Sequence, residues 1–152
     1  MSRAALYALA GVAADLDLLV GSHRGPSHSL GAALLAGGLA WMLTPSGRPQ
    51  ACRLRLAFAV AAAYASHVVL DWLGSDATPP IGIPALWPFS RAYYESSLHL
   101  FLAVSRRYWL AEFWIYNLRA LARELLILGP IVAGVYVLTA RGAPPPRAFD
   151  RA

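Results

Sequence analysis

Three histidines and three aspartates could do chemistry in this sequence. His23 and His28 lie five residues apart in HRGPSHSL (23–30) and flank Gly25-Pro26, so a turn could fold one imidazole back toward the other. His67 and Asp71 are four apart in SHVVLDWL (66–73), which puts them on one helix face, with Tyr64 on the same stripe. Asp15 and Asp17 come earlier, in ADLD. Imidazole nitrogens and carboxylate oxygens bind zinc, manganese and iron, and six such groups exceed what one mononuclear zinc needs. The set points to a divalent metal centre of one or two ions, zinc first, with manganese or iron as alternatives. Each piece also has a plainer reading. HxxxD can be a hydrogen-bonded core pair, Ser27 an N-cap, and the two aspartates a solvated helix end. Capping explains the serines but not two histidines and Arg24. Carboxylates also sit poorly at the negative end of a helix dipole, a conflict that a nearby cation removes.

Such a set needs elements that bring distant positions together. On an intact α-helix Asp15 and Asp17 point in opposite directions, so the helix must end near them if both serve one site, and Gly21 just beyond supports that ending. The chain has 152 residues, enough for one domain. It is 58% hydrophobic and 14% charged, against roughly 25% charged in soluble domains, and its mean hydropathy is +0.49. This is the composition of a membrane protein. Four apolar segments stand out, at 4–20, 29–44, 54–73 and 125–140. The uncharged cores of the last three run about 15–16 residues, slightly under the ~17–25 of a span. Short or tilted spans fit; a soluble bundle with buried helices is the alternative. The first segment reads as a retained helix, because a cleaved signal gains nothing from two aspartates.

Pro79, Pro80, Pro84 and Pro88 exclude a regular helix over 75–90. Residues 91–124 mix aromatics with arginines, and Arg106 and Arg107 in mid-segment favour helices lying at the interface. Pro130 is tolerable as a kink in the last span. The tail 142–152 reads as disordered, which leaves a single membrane-embedded domain over 1–141. Cys52 is the only cysteine, so an internal disulfide and a CxxC metal site are both excluded. The expected fold is all-α, a membrane helical bundle of about four spans with an interfacial helical and loop segment.

Four spans bring Asp15, Asp17, the 23–29 loop, His67 and Asp71 to the membrane face that carries the proline-rich loop. Arg3, Arg48, Arg53, Arg55, Arg141, Arg147 and Arg151 fall on the opposite face, seven arginines against six. The positive-inside rule then makes the seven cytoplasmic and the site non-cytoplasmic. The +5 net charge suits anionic lipid headgroups. Nucleic acid is not expected as a partner, because the arginines are scattered between apolar stretches and form no stripe.

Taken in order, these motifs resemble those of a known family. HRGPSHSL resembles an HRGxTHSL signature, and ADLD a PDxD signature preceding it. SHVVLDWL, a Gly/Pro loop and LWPF resemble an sHxxLDxxT…G…WPF block. The likeness covers roughly residues 11–100 and is to the YdjM-like, LexA-regulated metal-dependent hydrolases of the bacterial inner membrane. It implies metal-dependent hydrolysis with Asp15, Asp17, His23, His28, His67 and Asp71 as ligands. A wider likeness to zinc-dependent phospholipase C, by analogy, suggests a phosphoester or lipid substrate. There are departures: Ala14 stands for a proline, Leu18 for a histidine, and Pro26-Ser27 for an aromatic or aliphatic residue and threonine. The loop after Asp71 is longer and adds Asp76, and a histidine-bearing N-terminal helix of many relatives has no counterpart, which implies a lost ligand or an incomplete start.

For a phosphoester, the expected catalytic residues are Arg24, clamping the anionic group, and Asp76 as general base. Their plainer roles are a headgroup contact and a loop surface charge. Glu95 and His99, four apart, are expected on an interfacial helix as supporting or acid–base residues, or as an ordinary surface pair. Trp87, Tyr93, Tyr94, Trp109 and Trp114 read as an interfacial aromatic belt or a substrate entrance. The competing class is a non-catalytic membrane protein whose polar cluster binds metal structurally or docks a partner. A transporter is the weaker third reading, since the ligands sit at a membrane end and not at the midplane.

Overall fold

The computed structural model describes residues 2–20, 24–76, 79–105 and 107–141. His23, Gly21 and the tail from Gly142 lie outside them. The chain divides into two compact units, Met1–Ala103 and Val104–Ala152.

The first unit is built on three α-helices and one 3-10 helix. Ser2 opens α1 (Arg3–Val12), its hydroxyl accepting from the Ala5 N–H at 3.2 Å. The chain then tightens directly into η1, a 3-10 helix over Ala13–Val20. α2 (Leu30–Leu43) is capped by Ser29, which accepts from the Ala32 N–H at 3.0 Å, and ends at Thr44-Pro45. α3 (Gln50–Leu73) has 24 residues, about 36 Å at 1.5 Å per residue, enough to cross a ~30 Å hydrocarbon layer.

α1 and α2 both pack on α3, and small residues let them approach. A Cβ at Gly37 of α2 would stand 2.8 Å from Ala61 Cβ and 2.9 Å from the Ala57 carbonyl oxygen on α3. The core this makes is small: Ala14, Ala33, Tyr64, Val68 and Ile83. The large apolar side chains point outward instead, with Leu34, Leu35 and Met42 of α2 each at least 65% exposed. A soluble bundle would bury such residues; a lipid-facing one need not.

Residues 74–103 fold back over the C-terminal end of α3 without forming a helix. Ser96 N–H donates to Trp72 O at 2.9 Å and Leu100 N–H to Leu73 O at 2.8 Å, taking up orphan carbonyls of the last helical turn. Ile83 and Tyr94 exchange two backbone hydrogen bonds, of 3.0 and 2.9 Å. Gly82 adopts φ +88°, and a Cβ there would meet the Tyr94 carbonyl oxygen at 2.4 Å, so only glycine fits.

The second unit holds α4 (Glu112–Arg141), 30 residues with Pro130 inside. Its apolar side chains, Leu125, Leu126, Val132 and Leu138 among them, are exposed. Before it, Ser105 and Asn117 bond reciprocally, Ser105 N–H to Asn117 Oδ1 at 2.8 Å and Asn117 Nδ2 to Ser105 O at 3.0 Å.

The protein is all-helical, with no strand among the described residues beyond two isolated bridges. Two expectations change. Among the described residues two helices, α3 and α4, are long and apolar enough to cross a membrane, not four; α2 has 14 residues and α1 only 10. The interfacial helices expected over 91–124 are also absent as such. Residues 91–105 and 107–111 are not helical, and 112–124 form the first turns of α4. Of the former, Tyr94, Ser96, Leu100 and Phe101 spend backbone groups on α3 and Ile83. The latter have no Gly or Pro to stop a helix that runs on into the apolar segment.

Candidate metal centre

The change from α1 to η1 sets the first two carboxylates. In a 3-10 helix positions two apart differ by about 120°, against about 160° in an α-helix, so Asp15 and Asp17 no longer oppose each other. The expected break is real, and it takes the form of tighter winding.

His28 enters between them. It is fully buried, with Nε2 3.5 Å from Asp15 Oδ1 and Nδ1 3.2 Å from Asp17 Oδ2. Three contacts hold its loop: the Tyr64 hydroxyl donates to Ser27 O at 2.9 Å, Ser29 Oγ to Pro26 O at 2.6 Å, and Gly25 N–H to Asp17 Oδ2 at 3.3 Å. Ser29, not Ser27, is the helix cap.

α3 supplies the rest. His67 and Asp71 lie one turn apart, with Nε2 and Oδ2 3.4 Å from each other. Asp71 Oδ2 is also 3.2 Å from His28 Nε2, and His67 Nε2 is 3.5 Å from Asp15 Oδ1. Four donor atoms thus alternate, nitrogen and oxygen, around a ring with sides of 3.2–3.5 Å. The donors of Asp15, His28 and His67 all lie within 4.8 Å of one another.

Ser27 fixes the state of His28. Its hydroxyl has one proton, donated to Asp17 Oδ2 at 2.8 Å. Toward His28 Nδ1, 3.1 Å away, the same oxygen can then only accept. Nδ1 therefore carries the ring proton, and in the neutral ring Nε2 presents a lone pair to the oxygens of Asp15 and Asp71. A shared proton, on Nε2 or on a facing carboxyl group, or a metal ion makes that favourable. In addition, His67 Nε2 and Asp71 Oδ2 are buried with no well-aligned hydrogen bond and face each other at 3.4 Å, and a buried polar group left uncompensated costs about 1–3 kcal/mol.

The donor set fits a metal. Neighbouring donors at ~2.0–2.2 Å from one zinc stand roughly 3.3–3.6 Å apart, close to the four observed sides, and Asp15, His28 and His67 form the group whose donors are all mutually close. This His/Asp group could bind a divalent ion. Asp17, on the far nitrogen of His28, has the position of the carboxylate that orients a metal-bound imidazole. Exposure rises from His28 at 0% through His67 at 15% to the Asp15 side chain at 42%, so the cluster opens on the Asp15 side.

The other expected residues form a second group. Arg24, in the left-handed region at φ 67°, pairs with Asp76 Oδ2. Asp76 also accepts from the Gly82 N–H at 2.8 Å, and its own N–H donates to Glu95 Oε1 at 3.2 Å. His99 Nδ1 lies 3.7 Å from the same Glu95 oxygen. Glu95 and His99 do meet, but in a loop and not on an interfacial helix. Arg24 and Asp76 are each other's partners. Sequence reasoning missed the hydroxyl of Ser27 as the link from Asp17 to His28. The available signal was a second serine two residues on, better placed to cap α2.

A family model described as YdjM inner membrane protein matches residues 3–143, a stretch that includes every helix described above. No curated protein and no solved structure matches.

Proposed function

The chain belongs to the YdjM inner membrane protein family, and we propose that it is a multi-pass protein that holds one divalent metal ion, zinc first, and hydrolyses a phosphoester at the membrane interface. The observation that carries this reading is the ring of Asp15, His28, His67 and Asp71 donors, in which a buried imidazole lone pair faces two carboxylates. These four residues would hold the ion, with Asp17 orienting His28 through Ser27. His23 is left as a further ligand candidate. A bound zinc would polarise a phosphoryl oxygen and make a bound water acidic near neutral pH.

The chain's own residues have separable tasks. Asp15 forms the open rim by which substrate enters. A phosphoryl group that competes for Arg24 frees the Asp76 carboxylate to take a proton, while the Gly82 N–H keeps Asp76 in place. A lipid substrate is favoured by an apolar pocket of about 270 Å³ lined by Leu30, Val68, Trp72, Ile83 and Leu86, of which Val68 and Trp72 directly follow His67 and Asp71 in sequence. For the membrane, α3 and α4 are the full spans. α1 continued by η1 covers 18 residues, about 31 Å by rise, and α2 is a shorter embedded helix. The metal end of the first unit faces away from the cytoplasm.

The complete burial of His28 favours a second reading, a structural metal without turnover. Metal content by mass spectrometry on detergent-purified protein tests the shared premise. We expect about one equivalent in the wild type and none in His28→Ala or His67→Ala. A metal-free wild type from replete cells would remove both readings. Turnover of a chromogenic phosphodiester by the loaded protein, lost in Asp15→Ala, separates the enzyme from the structural site.

A further inference from the structure

The opposite end of the first unit carries a cavity of about 720 Å³ between the start of α1, the end of α2 and the start of α3. Its walls combine two chemistries: Arg3, Arg48 and Arg55 supply guanidinium groups, and Leu6, Leu43 and Leu56 supply an apolar lining. The three arginines are exposed, and no ion pair with a carboxylate is found for them among the described residues. No such partner is near in the chain either. Between Asp17 and Asp71 there is no acidic residue, and the first unit's five carboxylates, Asp15, Asp17, Asp71, Asp76 and Glu95, all belong to the metal end or its covering loop. Along α3 alone, Arg55 and Asp71 are 16 residues apart, about 24 Å.

A second device adds to the positive potential. The N-termini of α1 and α3 both open on this end, and α3 begins at Pro49 with no side-chain cap. Two positive dipole ends and three guanidinium groups thus surround a space within the 300–1,000 Å³ of ordinary ligand sites. Arg53 is held aside: its Nη2 donates to Trp41 O at 3.1 Å and its guanidinium lies over the Trp41 ring at 4.5 Å, so it stiffens the rim.

We propose that this cavity binds one anionic phospholipid, its phosphate among Arg3, Arg48 and Arg55 and its glycerol and upper acyl carbons along Leu6, Leu43 and Leu56. Arginine matches a phosphate with a planar fork of donors. A free phosphate would satisfy the arginines and leave the leucine wall wet; an amphiphile meets both surfaces. The site is independent of the metal cluster and of any activity there.

Native mass spectrometry of the full chain, released from detergent with phosphatidylglycerol or phosphatidylethanolamine at equal concentration, tests it. The expected result is one retained phosphatidylglycerol, preferred roughly tenfold or more over phosphatidylethanolamine. The variant Arg3→Gln/Arg48→Gln/Arg55→Gln should fall to the phosphatidylethanolamine level, whereas Arg91→Gln/Arg107→Gln should not. Leu43→Trp, which fills the cavity and leaves every charge, should also lose the lipid. Helical circular dichroism and an unchanged elution volume certify that each variant is folded, and a loss of lipid by a folded Leu43→Trp stands even if the triple variant is not. Equal retention of the two lipids, or retention by both the triple variant and Leu43→Trp, overturns the proposal. So does displacement of phosphatidylglycerol by millimolar inorganic phosphate, which would make the site one for the free ion.

Discussion

At the scale of single residues, the cluster depends on a hydroxyl proton. Ser27 gives that proton to Asp17 and so can only accept from His28 Nδ1. The consequence is that Nε2, 3.2 Å from Asp71 Oδ2, faces the ring as a base. Ser27→Ala removes the acceptor and leaves Asp17 Oδ2, 3.2 Å from Nδ1, to orient the imidazole alone. Stoichiometry should survive, and metal affinity, measured by competition with a calibrated chelator, should fall about tenfold, the lower end of what such supporting contacts are worth. Asp71→Ala, by contrast, removes a donor and should lose the ion. Unchanged affinity in Ser27→Ala would mean that Asp17 sets the tautomer without help. The meeting of His28 and His67 with the three aspartates was readable because such side chains have few other uses in an apolar chain. The serine was not, because its partner lies ten positions back and two serines competed for one cap.

At the scale of elements, the first unit is held by close approach more than by large buried side chains. Gly37 of α2 sits against Ala57 and Ala61 of α3, while a Cβ at its neighbour Gly38 would meet nothing within 4 Å. The pair makes an internal control. Gly37→Val should force the helices apart and destabilise by about 1–3 kcal/mol, the usual cost of overpacking. Gly38→Ala should be neutral or stabilising by up to about 1 kcal/mol through helix propensity. Thermal unfolding in one detergent reads both; a Tm for Gly37→Val equal to wild type would mean that α2 does not lie where this contact puts it. The same physics explains what was legible in the sequence here. The apolar run at 29–44, which forms α2, and the i,i+4 pair on α3 are local patterns, and both are visible in the sequence. The start of the last helix was not, because Arg119, Arg123 and Glu124 look interfacial although they lie within α4 (Glu112–Arg141). The Glu95–His99 spacing looked helical, but backbone bonds from Ser96 to Trp72 and from Leu100 to Leu73 keep that segment irregular.

At the scale of the whole molecule, the first unit is a charge dipole. Arg3, Arg48, Arg53 and Arg55 occupy the end where α3 begins, and Asp15, Asp17 and Asp71 the end where it finishes or its neighbour turns. An element of about 36 Å with opposite charge at its two ends fits a membrane in one sense better than the other. Short basic loops remain in the cytoplasm, so the 45–49 turn should be inside and the His/Asp cluster outside. Cys52 makes this measurable, because it is the single cysteine, is exposed, and lies in the first turn of α3. In spheroplasts a membrane-impermeant maleimide should leave Cys52 unreacted until the cells are permeabilised. In Cys52→Ser carrying Ser97→Cys, the exposed new thiol lies beside Ser96, which bonds the last turn of α3, and should react at once. The reverse pattern would invert the orientation and bring the metal cluster to the cytoplasm, where a substrate would have to be a cytosolic or inner-leaflet phosphoester. Reaction of both thiols without permeabilisation would mean that α3 does not cross the bilayer, and the apolar surface of α2 would then need a protein partner in place of lipid.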